Sequence, residues 1–170
     1  METGKTKVIS ALVENKPGVL HSVANMFRRR NFNIESITVG PTEQKDIARI
    51  TITVNEDEKT INQVVKQLAK LIDVIKVEEL EQGNFVMREM ALAKVSLSSA
   101  KERSDIISCV DVFRGRVIDV SPDSLTVEIT GTPDKIDAFL NLMRPYGIIE
   151  LARTGITALA RGAKSIRIEE

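Results

Sequence analysis

The stretch KVISALVENKPGVLHSVANMFRRR, residues 7–30, joins an alternating segment directly to a helical one, and it decides how the chain folds. The alternating segment puts Ile9, Ala11 and Val13 on one face, as a strand with one buried face requires. From Gly18 onward the apolar residues recur at the spacing of an amphipathic helix. The stretch therefore predicts a strand that is followed at once by a helix.

The same alternation of patterns continues along the rest of the chain. The clearest helix lies in EDEKTINQVVKQLAKLID, where Ile61, Val64 and Leu68 lead an apolar stripe and acidic residues crowd the start. Thr132 and Pro133 fit the N-cap and first helical position of a later helix. The predicted order is strand 7–14, helix 18–30, strands 33–40 and 47–54, helix 56–73, strand 73–80, strand 85–97, a helix around 106–113, strands 115–120 and 124–131, helix 132–147 and strand 148–159.

This order is βαββαβ repeated twice, which predicts an α+β protein of two tandem ferredoxin-like domains. EQGN, residues 81–84, breaks the pattern and marks the boundary. We expect domains at 5–82 and 83–163, followed by a charged tail at 164–170. Strand–helix–strand crossovers are expected to put parallel strands side by side, with both helices of a domain on one sheet face.

One face of each predicted sheet has no helix to cover it. In the first half we expect Val8, Leu12, Ile37 and Val39 to help fill this face. An exposed aliphatic sheet surface favours pairing with a second copy or another subunit. The pattern therefore predicts at least a homodimer.

Composition excludes several classes of function. Lys plus Arg and Asp plus Glu both number 24, so the formal net charge is zero, which does not suit a nucleic-acid or membrane-surface protein. Cys109 is the single cysteine, in an apolar stretch, and is interpreted as a buried thiol in a cytoplasmic chain. No stretch reaches the ~18 apolar residues of a membrane span.

Residues for catalysis or metal binding are scarce. His21 is the single histidine, and it is interpreted as a surface residue of a helix, because its neighbour Ser22 points in another direction. No His, Cys and carboxylate cluster has metal-ligand spacing. We therefore expect no catalytic residue, no metal site and no enzyme activity from this chain alone.

The junction ENKPGVL, residues 14–20, has the chemistry of an anion site. The first amides of a helix that begins at Gly18 have no intrahelical acceptor and carry a partial positive charge. Asn15 adds an amide donor and a carbonyl acceptor, and Pro17 stiffens the entry. An amino-acid zwitterion needs this mixture, but Asn-x-Pro-Gly is also ordinary turn chemistry, and both interpretations stay open.

ENKPGVLHSVANMFRRRNFNIESITVGPTE resembles the opening of the small, regulatory subunit of acetolactate synthase, also called acetohydroxyacid synthase, which begins with an ACT domain. ARITITV, QLAKLIDVIKV and REMALAKV agree with the same family, as do FRGRVIDVSPDSLTVEITGTPDKIDAFL and ELARTGITALARG. The resemblance covers almost the whole chain and is specific in both halves.

The resemblance implies an effector site between ACT domains for a branched-chain amino acid, usually valine, with leucine or isoleucine as alternatives. Asn15 and Gly18 match the family's first-loop residues, and Asn33 matches the asparagine that reaches the ligand from the neighbouring domain. Val19, Leu20 and Ile34 are adjacent candidates for backbone or apolar contacts, and core packing is the alternative for these three.

The resemblance also implies a partner, a separate large catalytic subunit that carries thiamine diphosphate, FAD and Mg²⁺. No cofactor is expected on this chain, which would raise the partner's activity and confer feedback inhibition. Four arginines are candidates for the contact, although solvated surface arginine is the common case: Arg114, Arg116, Arg153 and Arg161.

Three other functions are alternatives for this chain. An RNA-binding module of the same topology needs aromatic residues on its middle strands and a basic face, and IARITITV (47–54) has no aromatic residue. An amino-acid-sensing ACT protein with another target, such as a transcription factor, stays open, although no helix-turn-helix pattern supports it. The last is a stand-alone enzyme.

Overall fold

The computed structural model describes residues 6–168, which form two units. The first contains the described residues up to Val86 together with residues 156–168, and the second contains Met87–Gly155. The elements are β1 (Lys7–Glu14), α1 (Val19–Arg29), β2 (Ser36–Pro41), β3 (Ile47–Val54), α2 (Glu58–Leu68), β4 (Val74–Leu80), β5 (Phe85–Ser96), α3 (Ala100–Val112), β6 (Arg116–Val120), β7 (Ser124–Gly131), α4 (Pro133–Met143), a 3-10 helix (Arg144–Tyr146), β8 (Ile148–Arg153) and β9 (Thr157–Ala160).

The predicted α+β class and the two ferredoxin-like repeats are confirmed. The first sheet has the strand order β2-β3-β1-β4, and the second has β6-β7-β5-β8. Every pairing along these orders is antiparallel, so the expected parallel neighbours are wrong. Each crossover passes over one intervening strand, and the parallel strands it connects are therefore not adjacent.

The core of the first unit lies between its sheet and its two helices. Cross-strand pairing aligns Ile9 with Ile52 and Ala11 with Ile50 on the helix-covered face. Ile61 of α2 and Phe27 of α1 are buried against this face. Burial of each large side chain contributes roughly 1.5–3 kcal/mol to folding. The second unit repeats this arrangement around its own core.

Helices α1 and α3 hold the same position in the two repeats and end in the same way. The residue after each C-cap has a left-handed backbone, with φ of 55° at Asn31 and 54° at Arg114. The amides of Phe32 and Gly115 then donate to carbonyls five residues earlier, at 3.1 and 2.8 Å, in the Schellman arrangement. Asparagine tolerates this backbone, whereas arginine carries a steric cost there.

Arg114→Gly is expected to raise the free energy of unfolding of the second unit by about 0.5–1 kcal/mol. Glycine removes the cost of a Cβ in left-handed backbone, roughly 1–2 kcal/mol. Part of this gain is lost because glycine also increases the conformational entropy of the unfolded chain. Urea denaturation followed by tyrosine fluorescence measures this, because the single tyrosine, Tyr146, lies in this unit. Arg114→Ala removes the same charge but keeps the Cβ, so an equal gain in that variant would contradict the explanation.

The predicted strand 148–159 is two strands, which corrects the expectation. β8 ends at Arg153 and β9 begins at Thr157, with Gly155 between them at a φ of 85°. A left-handed residue at this point breaks the strand, and residues 156–168 then belong to the first unit. The expected domains at 5–82 and 83–163 and the tail at 164–170 stay predictions; residues 5, 169 and 170 lie outside the described residues.

The sheet face without helices also differs from expectation. Ile37 and Val39 pair with residues of the helix-covered face, so only Val8 and Leu12 of the predicted set lie on the other face. That face is already buried within one chain, with Val8 only 3% and Leu12 only 5% exposed. The Thr38 hydroxyl donates to the Ile156 carbonyl at 2.7 Å, which holds the C-terminal residues against it. This face is therefore not the free surface that the homodimer argument required.

Candidate functional site

The loop between β1 and α1 ends in a helix start without a side-chain cap. Gly18 is the N-cap, with a φ of 91°, and no side chain bonds to the first amides of α1. By contrast, the Asp57 carboxylate accepts from the Thr60 amide at 2.6 Å at the start of α2, and Ser99 caps α3. The amides of Val19 and Leu20 therefore meet no capping group at a point where the helix dipole favours an anion.

Backbone hydrogen bonds anchor this loop at its base. The Glu14 amide donates to the Asp73 carbonyl at 3.0 Å, and the Asn15 amide donates to the Asp46 carbonyl at 2.8 Å. The Lys16 ammonium lies 2.7 Å from the Asp73 carboxylate and also pairs with Glu14. Hydrogen bonds to Asp73 and then to Glu14 raise the pKa of Lys16 above its ordinary value. The loop is thus tied to the β2–β3 turn and to the segment before β4.

The predicted effector residues of this loop differ in whether they expose a side chain. The side chain of Leu20 is 50% exposed, and Asn15 and Gly18 are exposed as well. The side chain of Val19 is only 4% exposed and packs in the first core. Val19 therefore offers a ligand its backbone amide, while Asn15 and Leu20 offer their side chains.

The other two predicted effector residues lie beyond the far end of α1. Asn33 is exposed and its side-chain amide donates to Glu35 at 3.2 Å, while Ile34 is half-buried against the first core. Helix α1 has 11 residues, so its length separates Gly18 from this segment by roughly 16 Å. One chain thus brings Asn15, Gly18 and Leu20 together but does not bring Asn33 to the same ligand.

Arg153, a predicted partner-binding residue, holds a buried carboxylate in the second unit. Its Nε donates to Glu89 at 2.8 Å and its Nη1 donates to Asp137 at 2.7 Å. The Glu89 side chain is only 5% exposed. The hydrogen bond to Glu89, followed by that to Asp137, raises the pKa of Arg153. The residue therefore has a structural role, whatever it contacts outside the chain.

The remaining partner candidates lie on exposed segments. Arg114 is the left-handed residue after α3, and Arg116 begins the edge strand β6, opposite Glu128. Arg161 belongs to the first unit, where its amide donates to the Asn84 carbonyl at 2.8 Å. The four arginines are therefore divided between the two units.

Sequence reasoning missed the loop anchors and the buried Glu89. The burial of Glu89 could have been predicted from the period of two in β5, because Glu89 lies on the same face as Ala91 and Ala93. The contacts of Lys16 depend on Asp73, which is distant in the sequence, and no local pattern reveals them.

Neither a metal-binding cluster nor a membrane-spanning helix is present among the described residues. Residues 6–168 contain no group of three or more His, Cys, Asp or Glu side chains able to hold a metal ion. Within the same residues, no helix is both long and apolar enough to cross a membrane.

Comparison with known proteins places both halves in one family. Residues 9–76 match the family described as AHAS small subunit-like ACT domain, and residues 88–162 match the family described as small subunit of acetolactate synthase. A probable acetolactate synthase small subunit from Methanothermobacter thermautotrophicus is 57% identical over 95% of this chain and 96% of its own length. An acetolactate synthase small subunit from Mycolicibacterium smegmatis is 50% identical over 95% of this chain and 94% of its own.

A solved structure agrees with these relatives in fold. The crystal structure of an acetolactate synthase small subunit from Thermotoga maritima superposes with a TM-score of 0.88. It is 45% identical to this chain and covers 94% of it, and the match includes 99% of that structure. The chain therefore belongs to the family of small, regulatory subunits of acetolactate synthase, with an ACT domain as its first repeat.

Proposed function

We propose that this chain senses a branched-chain amino acid, valine in particular, and passes that information to a catalytic acetolactate synthase subunit. The observation that carries the effector half is the uncapped start of α1 at Gly18, next to the exposed Asn15. Its amides can donate hydrogen bonds to the carboxylate of an amino acid, and the Asn15 side-chain carbonyl can accept from its ammonium group. The exposed Leu20 offers an apolar contact for the aliphatic side chain.

The complete site is proposed to need two copies of the chain. Since α1 separates Gly18 from Asn33 by roughly 16 Å, one small ligand reaches both only if Asn33 comes from a partner. Asn33 and Ile34 directly precede β2, which is an edge strand of the first sheet. An edge strand leaves backbone donors and acceptors unpaired, so β2 is our candidate for the homodimer contact. The buried sheet face, by contrast, does not serve this purpose.

The affinity expected of such a site suits a metabolite sensor. Each hydrogen bond to the carboxylate contributes roughly 1.5–3 kcal/mol, and burying an isopropyl group adds roughly 1.5–3 kcal/mol. The loss of translational and rotational freedom offsets several kcal/mol of this. The balance corresponds to a Kd between about 1 µM and 1 mM.

The catalytic chemistry is assigned to the partner. Thiamine diphosphate, FAD and Mg²⁺ would sit on the large subunit, and this chain would raise its activity and make it sensitive to valine. This coupling is reciprocal, because valine and the catalytic subunit act on one equilibrium of the regulatory dimer. Arg116 is the preferred candidate for the contact, since its side chain is exposed and lies outside the Glu89 ion pair. Such an assembly is expected in the cytoplasm.

Reconstitution with a catalytic large subunit tests the proposal. Adding this chain is expected to raise acetolactate formation from pyruvate, and valine is expected to lower it again. Calorimetry on the chain alone should give a valine Kd in the range above, with leucine and isoleucine as comparisons, and sedimentation should give a dimer. Activation without valine binding would refute the effector site, and acetolactate formation by this chain alone would refute the regulatory role.

A further inference from the structure

A cavity of about 500 Å³ lies on the first unit, against the sheet face that carries no helices. This volume falls within the range of small-molecule sites, about 300–1,000 Å³. None of the six predicted effector residues lines it. Its walls are Leu12, Thr42, Glu43, Gln44, Ile47, Arg49, Ile166, Arg167 and Ile168.

Hydrogen bonds hold the β2–β3 turn that forms one wall of this cavity. The Thr42 amide donates to the Ile47 carbonyl at 3.0 Å, and the Gln44 amide donates to the Thr42 hydroxyl at 3.1 Å. On the other side, Leu12 and Ile166 are each only 5% exposed. The cavity therefore combines a fixed turn with a second wall to which the C-terminal segment contributes, and Leu12 and Ile166 expose little of their side chains to it.

Two guanidinium groups line the same cavity. The Nη1 of Arg49 donates at 2.9 Å to the hydroxyl of Ser10, a fully buried residue, which fixes the guanidinium beside the sheet. Guanidinium has five N–H donors, so most of those on Arg49 stay available. Within residues 6–168, neither Arg49 nor Arg167 takes part in an ion pair. Among the lining residues within 6–168, Glu43 is the one carboxylate beside two guanidinium groups, so these described residues carry a net positive charge.

We propose that this cavity binds the carboxylate of a small organic acid. Arg49 and Arg167 would hold the carboxylate through charge-assisted hydrogen bonds. Glu43 would accept from an ammonium group, if the acid carries one. This second site is separate from the effector loop at Asn15 and Gly18 and does not depend on it.

Titration with isovalerate tests the site, followed by amide NMR spectra of the full-length chain. Isovalerate has the carboxylate and the branched chain but no amino group, so it lacks half of what the effector loop is proposed to recognise. We expect shifts of the Leu12 and Ile47 resonances and a Kd raised by at least about 10-fold in Arg167→Gln, as loss of a charged hydrogen bond implies. Lys164→Gln is the matched control, since it removes one exposed charge from the same segment and does not line the cavity.

Leucine, titrated into a Gly18→Asp background, distinguishes the two sources of the carboxylate. Binding of leucine that Glu43→Gln weakens would assign the cavity to amino acids, and binding of isovalerate alone would assign it to acids without an amino group. Either result supports the site. No shift at Leu12 or Ile47 with either compound, or equal losses in Arg167→Gln and Lys164→Gln, would overturn it.

Discussion

Gly18→Asp is expected to weaken valine binding by at least about 100-fold, a loss of about 2.7 kcal/mol. The introduced carboxylate competes with the ligand for the free amides at the start of α1, because an aspartate at an N-cap accepts from the second or third helical amide. It also repels the carboxylate of valine. In addition, Gly18 has a φ of 91°, where a Cβ costs roughly 1–2 kcal/mol even though no atom lies within 4 Å of it.

Gly83→Asp is the matched control for this variant. Gly83 has a φ of 86°, and its Cβ would likewise meet no atom within 4 Å, so the backbone strain and the charge change are the same. It lies in the turn before β5, away from the effector loop. Calorimetry with valine on both variants separates strain from ligand competition. A valine affinity for Gly18→Asp within threefold of the unaltered chain would place the effector elsewhere.

Arg153→Gln is expected to lower the free energy of unfolding of the second unit by about 3–5 kcal/mol. The substitution leaves the buried Glu89 carboxylate without its guanidinium partner, and an uncompensated buried charge carries a penalty of this size. Since domains are stable by only about 5–15 kcal/mol, a large share of the stability is at stake. Urea denaturation followed by Tyr146 fluorescence measures the loss.

Two further variants decide whether the buried charge is the cause. Glu150→Gln breaks the exposed pair between Lys94 and Glu150, whose atoms lie 3.1 Å apart, and should cost less than about 1 kcal/mol. Adding Glu89→Gln to Arg153→Gln should recover part of the stability, because a neutral amide is easier to bury than a carboxylate. A loss below 1 kcal/mol for Arg153→Gln alone would show that solvent reaches Glu89. Loss of activation in Arg153 variants has to be corrected for this instability, whereas Arg116 lies outside the ion pair.

The repeats were predictable because their patterns are local. β1, β3 and β7 have the predicted bounds, since apolar residues recur with a period of two along each of them. Helix α2 ends at Leu68 and is shorter than predicted. The apolar spacing continues beyond Leu68, which extends the prediction to residue 73, but the helix does not. The faces of Ile37 and Val39 depended on the pairing register, which one strand does not reveal.

The sequence pattern predicts the position of the candidate effector residues relative to α1. It does not predict which of them expose a side chain and which expose only a backbone group. The spacing that predicts the start of α1 also makes Val19 a core position. Its side chain therefore belongs to the buried apolar face of the helix. The C-terminal residues were harder. Ile166 is a single buried residue in a charged segment, with no period to mark it, and its contact depends on strands more than 100 residues earlier.

Residues 156–168 follow the second unit in the sequence but are grouped with the first unit. During synthesis, Met87–Gly155 will therefore be complete before residues 156–168 leave the ribosome. Until then Thr38 lacks the Ile156 carbonyl, and Leu12 lacks Ile166 on the face of the sheet without helices. A fragment that ends at the boundary between the repeats would lack residues 156–168 as well. Its sheet face without helices would then expose more apolar surface, which favours aggregation.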